Sequence, residues 1–188
     1  SPTQIGNEST WALLAGGGGS TASVLGVKTD GTLWGWGAND SGEMGLNAPS
    51  NATYSSPKQI GGGSSDWDTV RTTTAGFVLA KKTNGSLWSW GYNTFGWSGT
   101  NDTIVRSSPI QIGTDTNWDN IQGTSGALMK VTKTDGTLWL WGRNSFGGAI
   151  QDPTPSPTFR PGYSSPTQVP GTWSNLVGGT AYGVSVIT

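Results

Sequence analysis

Apolar side chains fall on adjacent positions in three short segments of the chain, at residues 32–36, 86–90 and 137–141. Each segment carries the pattern Leu-Trp-x-Trp. Because successive side chains of a strand point to opposite faces, the two tryptophans share one face and the leucine lies on the other. A strand that is apolar on both faces needs cover on both faces. The pattern therefore predicts short sheets that stack against similar sheets.

A hairpin turn is predicted before each of these strands. The turn signal is an Asp-Gly or Asn-Gly pair, and it occurs at Asp30-Gly31, Asn84-Gly85 and Asp135-Gly136. These dipeptides favour a two-residue type I′ turn, in which both residues take positive φ. The segment that ends at residues 27–29, and its two counterparts, would supply the first strand of each antiparallel pair.

A repeat runs through the whole chain. Its landmark is a Ser-Pro motif spaced by 52 to 57 residues, which begins at Ser1, Ser56, Ser108 and Ser165. A lone tryptophan follows each landmark, and the hairpin with its paired tryptophans comes next. We therefore expect one domain over residues 1–188, with units at about 1–55, 56–107 and 108–164 and a partial unit at 165–188. The last unit stops before its turn would be due, so we expect an excerpt of a longer chain.

Repeats of this length, each with short strands and a hairpin, predict an all-β fold. The expected architecture is a β-propeller of four-stranded blades of roughly 50 residues, with three full units and part of a fourth in this chain. Proline cannot donate to a strand ladder, so the proline of each landmark fits an outer edge strand or a connection between blades. These residues are Pro2, Pro57, Pro109 and Pro166.

The units resemble the repeat of the regulator of chromosome condensation family. The shared elements are GTLWGWGANDSGEMGLN from Gly31, GSLWSWGYNTFGWSG from Gly85 and GTLWLWGRNSFGG from Gly136. The resemblance implies a ring of about seven blades, completed by the rest of a longer chain or by a second copy. It also implies functions that range from nucleotide exchange factors and enzyme-associated regulators to platforms in bacterial, surface and phage proteins.

Two departures from the family pattern disfavour exchange-factor activity. The chain has no histidine, whereas the eukaryotic members of the family usually carry one before the hairpin. In addition, the third unit replaces the end of its turn with a Pro-rich loop at residues 149–163.

Composition narrows the possible functions further. Charged residues make up 11% of the chain, with ten basic against eleven acidic, so no charged surface favours nucleic acid. Without histidine or cysteine, Ser-His-Asp and Cys-His catalysis and imidazole or thiolate metal sites are excluded. We therefore expect no enzyme activity, no cofactor and no metal. No apolar run approaches the ~20 residues of a membrane helix, so we expect no membrane insertion.

Some acidic residues allow two interpretations, a structural role in a turn or loop and a chemical role. Asp30 and Asp135 recur at one place, but their counterpart is Asn84, which fits turn geometry better than acid-base chemistry. Residues 39–43, Asn-Asp-Ser-Gly-Glu, have oxygen ligands at calcium-like spacing. The motif occurs once, and an ordinary loop is the favoured interpretation.

Acids next to the lone tryptophans form another group. Asp66 and Asp68 flank Trp67, and Asp119 follows Trp118. An aromatic ring beside carboxylates is compatible with a sugar-binding site. The favoured interpretation is that each lone tryptophan packs between blades and that the acids lie in solvent.

Ten of the eleven tryptophans occupy repeated positions. The paired ones are expected to be scaffold: Trp34, Trp36, Trp88, Trp90, Trp139 and Trp141. The exception is Trp97, which lies beside Phe95 in the turn after the second hairpin. Both are candidates for contact with a partner, with simple packing as the alternative for Trp97. Phe159 and Arg160 in the Pro-rich loop are the other candidates, because loops that depart from a repeat often carry specificity.

These features favour a non-enzymatic structural or protein-interaction module, as part of an extracellular or virion assembly such as a phage particle. Its partners would be other subunits of the assembly or the rest of its own longer chain. Two alternatives remain. One is a carbohydrate-binding, lectin-like propeller that takes a surface glycan, and the other is a regulator similar to guanine nucleotide exchange factors.

Overall fold

The computed structural model describes residues 9–17, 22–48, 50–122, 128–142, 163–171, 175–177 and 185–187. All regular structure in these ranges is β-strand, as the sequence predicts. The strands are β1 (Trp11–Gly16), β2 (Ser23–Lys28), β3 (Leu33–Asn39), β4 (Ala52–Ile60), β5 (Trp67–Thr72), β6 (Phe77–Lys82), β7 (Leu87–Gly91), β8 (Arg106–Gln111), β9 (Trp118–Gln122), β10 (Leu128–Lys133), β11 (Leu138–Gly142), β12 (Tyr163–Val169), β13 (Asn175–Val177) and β14 (Ser185–Ile187).

The strands form successive antiparallel sheets. Strands β1 to β4 make the first blade, β5 to β8 the second and β9 to β12 the third, each in chain order, and β13 pairs with β14. The first strands of neighbouring blades, β1, β5 and β9, lie against one another, so the fourth strands form the outer rim. The prediction of a β-propeller built from four-stranded blades is confirmed.

The Ser-Pro landmark closes a blade. Pro57, Pro109 and Pro166 lie in β4, β8 and β12, each of which pairs with a single strand. An edge strand tolerates a residue without an N–H because one side of its ladder is unpaired. The blades accordingly span residues 11–60, 67–111 and 118–169. They are therefore offset from the repeat units counted from the landmark.

The hairpin turns differ from the predicted two-residue type I′ form. Gly31 takes a φ of +78°, but Asp30 does not take positive φ. Gly31 N donates to Lys28 O and Lys28 N donates to Thr32 O, both at 2.9 Å, so the loop has three residues with glycine in the left-handed position. The predicted type I′ turn was wrong, since Asp30 keeps negative φ and its Oδ1 accepts hydrogen bonds from N and Oγ1 of Thr32, which closes a local Asx-type turn instead. The other two hairpins repeat these bonds.

Apolar cores fill the seams between blades. In each seam, the tryptophan face of one blade packs on the opposite face of the preceding blade. The first seam joins Leu25, Val27, Leu33, Met44 and Ile60 to Trp67, Val70, Val78, Ala80 and Trp90. The second seam joins Phe77, Leu79, Leu87, Trp97 and Ile112 to Trp118, Ile121, Met129, Val131 and Trp141. The two seams use the same positions of the repeat.

An indole hydrogen bond crosses each seam. Trp90 Nε1 donates to Glu43 O at 2.8 Å, and Trp141 Nε1 donates to Trp97 O at 2.8 Å. Trp90 and Trp141 are fully buried. These are the contacts expected of scaffold residues, since each ring fills a core and its only polar atom is satisfied by the neighbouring blade. The other paired tryptophans are half-buried: Trp34, Trp36, Trp88 and Trp139.

Candidate functional site

The loop between β7 and β8, residues 92–105, carries most of the exposed apolar side chains. Five large apolar side chains are exposed in the described part of the chain, and three of them belong to this loop. Phe95 is 40% exposed, Ile104 60% and Val105 48%. We call these three residues the exit-loop patch. Phe95 was predicted from the sequence, whereas Ile104 and Val105 were not, although an adjacent apolar pair in a polar stretch was a visible signal.

An ion pair fixes the end of the loop that carries Ile104 and Val105. Arg106 donates to both carboxylate oxygens of Asp102, at 3.0 and 2.8 Å, which is the strong bidentate form of this pair. The Arg106 guanidinium lowers the pKa of Asp102 well below its ordinary value. Asp102 Oδ1 also accepts from Ile104 N at 2.9 Å, and Oδ2 accepts from Thr100 Oγ1 at 3.0 Å. The backbone under the two apolar side chains is therefore held in one shape.

Asn93 and Asn101 tie the loop to the blades. Asn93 Nδ2 donates to Ile104 O at 3.1 Å, and Asn93 Oδ1 accepts from Ser98 N at 2.8 Å. Asn101 takes a φ of +60°, and its N donates to Ser164 O of the third blade at 2.7 Å. The loop is thus anchored at its start, in its middle and across the seam.

Phe95 lies on an aromatic base. Its ring centroid is 6.2 Å from that of Tyr92 and 5.8 Å from that of Trp97, and the Tyr92 and Trp97 rings are 5.1 Å apart. Trp97 is only 5% exposed and packs edge-on against Phe77 at 6.4 Å. The partner-contact role predicted for Trp97 is corrected to packing, because the second seam covers its ring. Phe95 remains accessible above it.

Glu43 occupies the place of Trp97 in the exit loop of the first blade. Its side chain is fully buried against Gly76 of the second blade. Oε2 accepts from Ser41 N at 2.7 Å, whereas Oε1 has no hydrogen-bond partner among the described residues. Burial, with a smaller contribution from the charge of Asp40, raises the pKa of Glu43 above its ordinary value. The first seam therefore contains a carboxylate that is costly to ionise.

Replacing Glu43 with glutamine is expected to stabilise the protein at neutral pH more than at about pH 4. A raised pKa means that the folded state holds the proton more tightly than the unfolded state. The free energy of unfolding of the wild type therefore falls as pH rises through the window between the two pKa values. Glutamine keeps the shape without a charge, and its advantage should reach about 1–2 kcal/mol at neutral pH. Urea unfolding at the two pH values measures it, and an advantage that shrinks with rising pH would contradict it.

A lysine lies between two tryptophans at the hairpin end of each of the three described four-stranded blades, which the sequence reasoning missed. The stacks are Lys28 between Trp11 and Trp34, Lys82 between Trp67 and Trp88, and Lys133 between Trp118 and Trp139. Each ammonium lies 4.2 to 5.1 Å from the ring centroids, where the attraction is about 0.5–2 kcal/mol. The signal was a lysine two residues before each Asp-Gly or Asn-Gly pair. Trp11, Trp67 and Trp118 are thereby held against a lysine of their own blades.

The arrangement of acids beside the lone tryptophans does not form a sugar site. Trp67 and Trp118 are buried, so a sugar ring cannot stack on them. Asp66 and Asp68 each pair with a lysine at 3.0 Å, and Asp119 is exposed. The interpretation favoured from the sequence was that the lone tryptophans pack between blades and the acids lie at the rim. The geometry around Trp67 and Trp118 agrees with it.

The remaining site predictions have the following outcomes. Asp30 and Asp135 act in their turns, where hydrogen bonds from Thr32 and Thr137 lower the pKa of each carboxyl. Phe159 and Arg160 lie outside the described residues. Within the described ranges, no three His, Cys, Asp or Glu side chains are placed to share a metal ion. The same ranges contain no helix of the length and apolarity that crossing a membrane requires.

Comparison with known proteins finds sequences that are similar to this chain. A family model for the regulator of chromosome condensation (RCC1) repeat matches residues 30–76. The curated RCC1 domain-containing protein RUG3, mitochondrial, of Arabidopsis thaliana is 26% identical over 150 residues, which are 77% of this chain and 32% of that protein. The chain therefore spans about a third of the length of this relative.

Solved structures share the fold. Human WBSCR16 matches with a TM-score of 0.70 and 19% identity, over 94% of this chain and 45% of its own. Prp20p from Saccharomyces cerevisiae matches with a TM-score of 0.72 and 18% identity, over 96% of this chain and 44% of its own. A structure of Kap60 bound to yeast RCC1 (Prp20) gives a TM-score of 0.65 at 18% identity, over 95% of this chain and 41% of that one. The repeat match shows that part of the chain is similar to the RCC1 repeat, and these likenesses show that it shares the β-propeller fold of the RCC1 structures.

Proposed function

We propose that this chain is a non-enzymatic protein-interaction module that contacts a protein partner through the exit-loop patch. The observation that carries the proposal is the exposure of Phe95, Ile104 and Val105 on a loop whose backbone is locked from within. Exposed apolar side chains that share one loop are typical of contact sites, because their burial gains hydrophobic free energy only when a partner covers them.

The rigidity of the loop supports this role. Binding through a mobile loop costs the conformational entropy of ordering it, and that cost is subtracted from the affinity. Here the Asp102–Arg106 pair, the Asn93 bonds and the aromatic base under Phe95 have already fixed the loop. A partner would therefore meet three apolar side chains in defined positions, with the charged pair beside them as a polar rim.

The solved structures with a similar fold support a protein as the class of partner. Prp20p was crystallised in work that also describes its binding to Gsp1p and histones, and yeast RCC1 (Prp20) was crystallised with Kap60 bound. The two structures contain the same protein, Prp20, which is a propeller with protein partners. At 18% identity the shared property is the fold, so the partner of this chain is defined by the patch and not by those names.

Charging the patch is expected to weaken partner binding without unfolding the protein. The variant Ile104→Asp with Val105→Asp places carboxylates on two exposed positions, and the Ile104 N–H can still donate to Asp102. We expect at least about a tenfold loss of affinity. The measurement is capture by immobilised protein from an extract of the source organism, followed by identification and titration of the captured partner.

Leu14→Asp is the matched control for this experiment. Leu14 is 56% exposed on β1 of the first blade, away from the patch. Its variant should capture the partner as the wild type does. A partner that binds the wild type and the double variant with equal affinity would refute the patch as the contact site.

We further propose that the partner is a subunit of an extracellular or virion assembly. The low content of charged residues, 11%, and the composition rich in Ser, Thr and Asn motivate this proposal. Fractionation of the source culture with an antibody against the chain tests it. Recovery of the chain in the cytosol alone would contradict it.

A further inference from the structure

The second hairpin differs from the other two in the chemistry of its turn. It carries Asn84-Gly85, whereas the first and third carry an Asp-Gly pair. In an Asn-Gly pair the backbone nitrogen of the glycine can attack the side-chain amide carbon, which expels ammonia and closes a five-membered succinimide ring. Glycine has no Cβ to hinder that approach, and asparagine is one of the thermolabile residues of proteins. Asn84 is exposed, so water can reach the ring and open it.

Hydrogen bonds within the hairpin oppose this ring closure. Gly85 N donates to Lys82 O at 2.9 Å. The ring nitrogen of a succinimide carries no hydrogen, so this bond is lost when the ring forms. Asn84 Oδ1 accepts from Ser86 N at 3.0 Å and from Ser86 Oγ at 2.7 Å, which fixes the rotation of the side-chain amide. The folded turn therefore restrains both the attacking nitrogen and the amide that it would attack.

The third blade restrains the same peptide from the other side. Gly85 O accepts from Trp118 N at 3.2 Å. A Cβ on Gly85 would lie 2.0 Å from Thr116 O, so the glycine is in close contact with the segment that leads into β9. Ring closure turns the peptide between residues 84 and 85 toward the Asn84 side chain, and that rotation displaces Gly85 from both contacts. Deamidation therefore requires the hairpin to leave the third blade.

The two products of ring opening fit the hairpin differently. The first hairpin already carries aspartate, and Asp30 Oδ1 accepts from N and Oγ1 of Thr32. Asn84 Oδ1 accepts from N and Oγ of Ser86 in the same way, so an aspartate at position 84 can restore the turn. Isoaspartate adds a methylene group to the main chain and shortens the side chain. The added atom displaces Gly85, and its close contact with the third blade does not accommodate a displacement.

We propose that Asn84 is a deamidation site that is protected while the second hairpin packs on the third blade and reacts once the hairpin is released. The isoaspartate product then keeps the hairpin from returning to its place, whereas the aspartate product does not. The overall step consumes one water molecule, releases one ammonia molecule and converts a neutral amide to a carboxylate. The site lies at the hairpin end of the second seam, and it is independent of the function proposed for the exit-loop patch.

The rate of deamidation in the folded chain is compared with that of a synthetic peptide of residues 80–90 in the same mildly alkaline buffer. Mass spectrometry after digestion measures the gain in mass at Asn84, and chromatographic retention separates isoaspartate from aspartate. We expect the folded chain to react at least about tenfold more slowly, because the reaction waits for local opening of the hairpin. Equal rates overturn the proposal, as does a peptide that does not react.

Two matched variants locate the opening that exposes Asn84. Trp141→Phe removes the indole hydrogen bond of the second seam, and Trp90→Phe removes that of the first. Both leave the sequence of the second hairpin turn intact. Deamidation should be at least about threefold faster in Trp141→Phe than in Trp90→Phe, since only the former weakens the contact with the third blade. Equal rates in the two variants would mean that global unfolding exposes the site, and would overturn the proposal.

The stability of the two products tests the role of isoaspartate. The Asn84→Asp variant represents the aspartate product and should unfold at the same urea concentration as the wild type. The isoaspartate form, purified from chain that has deamidated in urea and been refolded, should unfold at a lower urea concentration. An isoaspartate form as stable as Asn84→Asp would show that the hairpin returns to its place, which contradicts the proposal.

Discussion

Replacing Trp90 with alanine is expected to lower the free energy of unfolding by about 3–5 kcal/mol. The ring is fully buried in the first seam, where Trp67 lies 6.0 Å from it. The substitution removes one of the two tryptophans buried in that core and leaves a cavity between two packed sheets. It also removes the hydrogen bond to Glu43 O. Denaturant unfolding followed by circular dichroism measures the loss.

The chain contains its own control for this prediction. Trp36 holds the same position in the first blade, but it is half-buried and packs mainly on Trp11, at 5.6 Å. Trp36→Ala should therefore cost only about 1–2 kcal/mol. Trp90→Phe should fall between the two, because it keeps part of the ring and loses the seam hydrogen bond. Equal losses for Trp36→Ala and Trp90→Ala would show that the seam does not carry the stability.

The blade fold was predictable because each unit repeats its own pattern. A turn signal at Asp30 returns at Asn84 and Asp135, followed each time by two tryptophans two residues apart. Such a pattern identifies the fold because the alternation of side chains along a strand assigns each residue to a face of the sheet. A strand that is apolar on both faces must be covered by a neighbouring sheet on each side. The outer position of the landmark proline, as at Pro57, followed from its missing N–H alone.

The site was less predictable because exposure depends on residues far apart in the chain. Trp97 and Phe95 look equivalent in the sequence, but Trp97 is buried in the second seam against Phe77 whereas Phe95 is 40% exposed. Ile104 is exposed because its backbone is bound to the Asp102 carboxylate, a contact that no periodicity encodes. The type I′ turn was also mispredicted. Hydrogen bonds of the Asp30 side chain outweighed the preference of the Asp-Gly dipeptide for that turn.

Replacing Gly85 with alanine is expected to destabilise the protein by at least about 3 kcal/mol. Gly85 takes a φ of +79°, which costs alanine about 1–2 kcal/mol by itself. A Cβ at this position would lie 2.0 Å from Thr116 O, a backbone atom that leads into the third blade. That atom cannot move alone, because Trp118 N donates to Gly85 O at 3.2 Å and fixes the hairpin against the strand. The second seam would have to open.

Gly62→Ala separates the two contributions to this loss. Gly62 also takes positive φ, +64°, but a Cβ there would meet nothing within 4 Å. Its variant should therefore lose only the backbone term of about 1–2 kcal/mol. Thermal and denaturant unfolding of both variants gives the difference, which isolates the contribution of close contact between a hairpin and the next blade. Equal losses would mean that backbone strain alone explains the glycine, and that the hairpin tolerates displacement from its neighbour.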